Sequence, residues 1–165
     1  EAVREGVPTI GHCLGGQLMA RALGGVVTAS PAPEIGWQPM QVLEHPLAQG
    51  WLGAPGEVRV FHWHDEAFAL PPGATSLATS PACTHQAFAL GPHLALQFHV
   101  EIDAAKLERW SREADERPHA LLGRCATVQS GAQMRSDLAR CLPAQQHLAD
   151  RIYARWLGAA VQRAT

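Results

Sequence analysis

The stretch Gly11-His12-Cys13-Leu14-Gly15-Gly16-Gln17 constrains the fold more than any other part of this chain. It follows the apolar run Val7-Pro8-Thr9-Ile10 and leads into Leu18-Met19-Ala20-Arg21-Ala22-Leu23. That order predicts a strand, a sharp turn and a helix. A G-x-C-x-G core is the cysteine form of the G-x-S-x-G nucleophile elbow. Its glycines let the backbone turn tightly without a Cβ clash. The residue between them then stands exposed at a helix N-terminus, where the helix dipole and free N–H groups favour a thiolate over a thiol. The plainer alternative is a buried, unreactive cysteine in a Gly-rich turn. The flanking glycines and the strand-to-helix setting favour the nucleophile.

A second motif, Leu94-Ala95-Leu96-Gln97-Phe98-His99-Val100-Glu101, reads as a strand ending in His-x-Glu. Residues two apart in extended backbone point the same way. Glu101 can therefore orient the His99 imidazole while His99 faces a nucleophile brought from elsewhere. Alone, His-x-Glu is a weak signal. Beside an elbow cysteine it completes a set of nucleophile, base and orienting carboxylate.

Gly-His-Cys-Leu-Gly-Gly-Gln-Leu and Gln-Phe-His-Val-Glu-Ile together resemble the two signatures of class I (triad) glutamine amidotransferase domains. The second signature is commonly His-Pro-Glu, and Val100 replaces the proline here. Glu34-Ile35-Gly36-Trp37, Phe61-His62-Trp63-His64-Asp65 and Gln86-Ala87-Phe88 are similar to the stand-alone branch related to GMP synthase amidotransferase domains. The resemblance spans roughly the first hundred residues, and the tail supports it only loosely.

The resemblance implies hydrolysis of the glutamine side-chain amide through a γ-glutamyl thioester, with release of ammonia. Cys13 would attack the amide carbonyl, and His99 would carry the proton from thiol to departing ammonia. Glu101 would hold the His99 tautomer, and the Leu14 backbone N–H would donate to the oxyanion. Gln17 corresponds to a substrate-contacting glutamine of the family. His64-Asp65 corresponds to a loop that receives the α-amino and α-carboxyl groups of glutamine, although a glycine often follows that histidine. No cofactor and no metal is implied. The expected partners are glutamine and a synthetase or other ammonia-accepting enzyme. Two alternatives stay open: a γ-glutamyl hydrolase on the same scaffold, and a non-catalytic partner-binding domain.

Composition narrows the remaining classes. A formal charge of −2 gives no electrostatic case for nucleic acid or an anionic membrane. No apolar stretch approaches spanning length, and no signal peptide is recognisable. Cys13, Cys83, Cys125 and Cys141 show no metal-knuckle spacing, and a thiol nucleophile suits a reducing cytoplasm. Cys83, Cys125 and Cys141 are expected to be inert. His62 and His64 flank Trp63 at i, i+2, but no carboxylate or thiol signature completes a metal site. His12, next to the nucleophile, is expected to pack away from the site. His45, His93, His119 and His147 are expected to be solvated. Glu34 and Trp37 read equally well as the pocket mouth or as a surface loop anchored by Trp37 in the core.

Strands are expected at Val26-Val27, Met40–Leu43, Glu57–Trp63, Leu77–Ser80, Ala87–Leu90 and Leu94–Phe98, with Pro31-Ala32-Pro33 as a loop. Asp103 is an N-cap for a helix over Ala104–Ala114. Two further helices are expected over Ser130–Cys141 and Ala144–Val161, separated by Pro143. The pattern predicts a single α/β domain over residues 1–165. With the resemblance, it implies a doubly wound, mostly parallel, flavodoxin-like sheet flanked by helices. Relatives carry several strands and a Gly-containing loop before the elbow, so an N-terminal section is expected to be missing from this sequence.

Overall fold

The computed structural model describes residues 1–164. The nucleophile segment folds as a strand β1 (Ile10–His12) running into a helix α1 (Leu14–Ala22). A long strand β2 (Val27–Val42) follows, then helix α2 (Pro46–Leu52) and strand β3 (Gly56–Phe68). Strands β4 (Thr75–Thr79), β5 (Ala87–Leu90) and β6 (His93–Leu96) precede helix α3 (Ala104–Glu116) and helix α4 (Gly131–Ala164). One six-stranded sheet has the order β1-β6-β5-β4-β2-β3.

The α/β class with flanking helices is as expected, but the balance of strand directions differs. Among the six described strands only β1 and β6 pair with each other in parallel, with Ile10 opposite Leu94 and His12 opposite Leu96. The β2–β3, β2–β4, β4–β5 and β5–β6 pairs are antiparallel. Connection length explains this. β5 and β6 are joined by a tight turn at Gly91-Pro92, which only antiparallel neighbours can use, whereas β1 and β6 meet after a long excursion of chain.

Strand alternation distributes the core over both faces. Leu94 and Leu96 join Met40, Val60, Trp51 and Ile152 under α2 and α4, while Ala95 joins Met19, Phe68 and Phe88 under α1. Each face thus buries apolar side chains beneath a helix, as the hydrophobic effect requires of a sheet in this class. A third cluster, around Trp37, Phe61, Leu107 and Met134, packs α3 and the first half of α4 against β2 and β3.

Two local expectations are corrected. Pro31-Ala32-Pro33 does not interrupt the chain as a loop. It lies inside β2, where the pairing with β3 shifts register between Ala29 and Glu34. Proline cannot donate to a ladder, and a bulge accommodates it. Nor does Pro143 break the tail. α4 continues through it, because both halves are held by packing: Met134 and Cys141 on one cluster, Leu148 and Ile152 on another. Gln145, also buried, accepts a hydrogen bond from the Phe61 N–H at 2.7 Å. Tertiary contacts here outweigh the lost helical hydrogen bond. The Asp103 cap forms as expected, its carboxylate accepting from the Lys106 N–H at 2.6 Å.

Candidate active site

Cys13 sits at the junction of β1 and α1 with φ 46° and ψ −108°, and it is the only described non-glycine residue with positive φ. Such a backbone is costly and persists only where its surroundings hold it. Here the Cys13 N–H donates to the Leu96 carbonyl at 2.8 Å, tying the turn to the end of β6. The glycines make this approach sterically feasible. A Cβ on Gly16 would lie 2.7 Å from the Leu96 carbonyl oxygen, and one on Gly11 would lie 2.5 Å from the Gly15 carbonyl carbon.

The Cys13 sulfur has two hydrogen-bond partners, the Trp63 carbonyl and the Gln97 side-chain amide, both at 3.7 Å. It makes no hydrogen bond with His99. Burial pushes the Cys13 thiol up from its ordinary value. The Leu14 N–H opposes that rise, the Glu101 charge adds to it, and the Gln97 amide again opposes it. The thiolate expected from the helix N-terminus is therefore not the favoured form. Desolvation outweighs the two donors, so the sulfur needs a base.

His99 follows β6 on backbone held by the Phe61 carbonyl, which accepts from its N–H at 2.8 Å. Its Nδ1 lies 2.7 Å from Glu101 Oε1. A carboxylate at Nδ1 sets the neutral tautomer that leaves Nε2 free to accept a proton. Burial raises Glu101, but the His99 hydrogen bond and charge outweigh it and bring its pKa to about 2. α3 supports the pair from outside. Lys106 Nζ is 3.1 Å from Glu101 Oε1, and Trp110 meets the His99 ring edge-to-face at 5.0 Å.

Gln17 donates from Nε2 to the Glu66 carbonyl at 3.1 Å and to Gln97 Oε1 at 3.4 Å, bracing α1 against β3. A cavity of about 650 Å³ opens above Cys13 and Gln17 and is walled by residues 63–66 of β3 and by the segment joining α3 to α4. The backbone of His64 borders this cavity, but its side chain is turned inward, 3.3 Å from Glu34. Asp65 is exposed and reaches His119 across the cavity at 3.3 Å. Leu14 stands with its side chain exposed at the helix start.

Several side chains sit elsewhere than expected. Glu34 is neither pocket mouth nor surface, being 1% exposed. Burial raises its pKa, yet the adjacent His64 and His62 bring the net value down. Trp37, by contrast, is in the core as the second of its two readings had it, donating from Nε1 to the Met134 carbonyl. His93 is buried rather than solvated, and His119 is occupied by Asp65. His12 does pack away as expected, toward α4, where its Nε2 is 3.1 Å from the Tyr153 hydroxyl. Sequence reasoning passed over Gln97 and Trp110, and read Lys106 as part of a solvated helix face, whereas it is half-buried against Glu101. The first was detectable, since Gln97, His99 and Glu101 fall at i, i+2 and i+4; the other two depend on how α3 docks.

The arrangement can support acyl transfer, with a hindered thiol at a strained turn, an oriented imidazole and a cavity for a substrate. The family model described as Glutamine amidotransferase class-I matches residues 1–109. The glutamine amidotransferase-like protein YfeJ of Salmonella typhimurium is 38% identical over 104 residues, covering 60% of this chain and 42% of that protein. The glutamine-hydrolyzing GMP synthase of Aeropyrum pernix is 34% identical over 128 residues, covering 76% of this chain and 24% of that one. The crystal structure of a glutamine amido transferase from Methylobacillus flagellatus superimposes with a TM-score of 0.89 at 38% identity, covering 96% of this chain and 65% of that one. This chain spans less than two thirds of each of the three.

Proposed function

The chain belongs to the class I glutamine amidotransferase family, and from that we propose that it hydrolyses the side-chain amide of glutamine through a Cys13-His99-Glu101 triad. The observation that carries the reading is Cys13 itself, held in a strained backbone at a strand-to-helix turn and facing the cavity.

In this reading the Cys13 thiol, raised by burial, gives its proton to His99 Nε2 as sulfur attacks the amide carbonyl. Glu101 at 2.7 Å stabilises the imidazolium that forms. The Leu14 N–H donates to the developing oxyanion. The imidazolium then protonates the departing nitrogen, ammonia leaves, and a γ-glutamyl thioester remains. Water attacks the thioester with His99 as base, releasing glutamate and restoring the thiol. Transfer requires the His99 ring and the sulfur to meet, and catalytic hydrogen bonds often tighten only when substrate binds. Gln17 and the backbone of His64 and Asp65 would receive the amino-acid end of the substrate. The ammonia would pass to a partner synthetase in a reducing compartment. A relative in Thermococcus kodakarensis is named as one subunit of a glutamine-hydrolyzing GMP synthase. No described helix is long and apolar enough to cross a membrane.

The cavity favours a second reading. At about 650 Å³ it is larger than the ten non-hydrogen atoms of glutamine need, and Arg117 and His119 are among the residues that line it. A γ-glutamyl amide with a bulkier amine would use that room with the same chemistry at Cys13. Glutamate release should be measured from glutamine and from γ-glutamyl amides, with Cys13→Ala and His99→Asn as controls. Loss of release in both variants supports the triad. Release that survives Cys13→Ala overturns it, and the preferred leaving amine decides between the two substrates.

A further inference from the structure

Beneath the wall of the cavity, β2 and β3 bring a glutamate and two histidines onto one face of the sheet. Glu34 pairs directly with His64, and Gly36 pairs with His62. Residues two apart share a face, so Glu34, His62 and His64 converge. One donor atom from each of the three lies within 4.8 Å of the other two.

These groups are costly to bury as they stand. His62 is 0% exposed, and neither of its ring nitrogens has a hydrogen-bond partner. His64 Nδ1 faces the Glu66 carbonyl at 3.1 Å, and a carbonyl can only accept, so Nδ1 carries the proton. With the ring singly protonated there, Nε2 turns a lone pair toward the Glu34 carboxylate at 3.3 Å. Those two atoms are close but not aligned as a hydrogen bond, and Nε2 is left without a partner. A lone pair facing a buried anion is repulsive unless a positive charge lies between them. The same carboxylate is held from behind by the Gln86 amide, which donates to Oε2 at 2.6 Å.

We infer that Glu34, His62 and His64 form a binding site for one divalent cation of the zinc type, bound by two imidazoles and a carboxylate. Bond lengths of about 2.0–2.2 Å place neighbouring donors of a tetrahedral zinc ion roughly 3.3–3.5 Å apart, and the Glu34–His64 separation of 3.3 Å already has that value. An imidazole whose other nitrogen donates to a backbone carbonyl is the usual setting of a metal-bound histidine, and a hydrogen-bonded carboxylate is its companion. Two nitrogens and one oxygen suit zinc, cobalt or nickel better than magnesium or calcium. The ion would pin β2 to β3 behind residues 63–66, and so fix the backbone that borders Cys13. Because the ligands are buried, the ion would enter as the chain folds.

The test is to unfold the protein in chelator and refold it with zinc, with cobalt or with neither. We expect one bound zinc per chain by elemental analysis after desalting, a higher melting temperature, and visible absorption of tetrahedral cobalt at one equivalent. His62→Phe and Glu34→Gln should each abolish the bound ion. If these variants fail to fold, wild type labelled with nitrogen-15 histidine decides the matter, since only two imidazoles should shift on adding zinc. Refolded wild type holding no zinc, with a melting temperature indifferent to it, overturns the proposal and leaves a proton shared between His64 and Glu34. So does zinc that persists in His62→Phe, or a cobalt spectrum of octahedral type.

Discussion

Replacing Glu101 by glutamine should make this protein less sensitive to acid, and the size of the effect follows from the carboxyl's surroundings. In the fold its pKa is about 2, against 4.5 for the free group. A depressed carboxyl contributes stability above its unfolded pKa and loses it as pH falls toward the folded one. Between pH 7 and pH 3, a shift from 4.5 to about 2 corresponds to a loss of about 2 kcal/mol from this group alone. The side chain is 28% exposed, partly shielded by Lys106 and His99, so solvent screening should trim this only modestly. Other carboxylates titrate over the same range, so the difference between wild type and Glu101→Gln is the informative quantity. Urea unfolding followed by tryptophan fluorescence at pH 7 and pH 3 gives it. Wild type should be the more stable at pH 7, and that advantage should shrink by about 2 kcal/mol at pH 3. An advantage that stays constant across the range would show that Glu101 is not held ionised by His99, and the orienting role would go with it.

The elbow glycines should differ sharply. Gly16→Ala, whose Cβ would lie 2.7 Å from the Leu96 carbonyl, should cost about 2–3 kcal/mol in urea unfolding, whereas Gly15→Ala meets nothing within 4 Å and should be neutral or slightly stabilising. Gln97→Leu removes a donor to the Cys13 sulfur, so iodoacetamide labelling of Cys13 near neutral pH should slow and its pH profile should move upward. Cys83, whose thiol burial raises to about 12, should stay unlabelled throughout. Pro143→Ala lies on the exposed side of a continuous helix and should raise stability by about 1–2 kcal/mol, read as a higher urea midpoint.

The sequence by itself determined what is local. Gly-x-Cys-x-Gly between an apolar run and a helical run admits little but a strand, a sharp turn and a helix, because only glycine fits where α1 meets β6. His99 and Glu101 share a face because strand geometry has a period of two. The Asp103 cap depends only on its own next turn. Tertiary structure decided what requires distant partners. The continuity of α4 through Pro143 rests on two separate clusters gripping its halves, which no propensity scale contains. Lys106 and Trp110 join the Glu101–His99 pair only because α3 docks there. The thiol's pKa moves up rather than down because the depth at which the elbow is buried outweighs a helix dipole that the sequence does reveal. Glu34 meets His64 because β2 and β3 keep one unbroken register from Val42–Gly56 up to Glu34–His64. A one-residue slip would turn every side chain of that strand to the other face. Register is a property of two strands together, and neither segment of sequence states it alone.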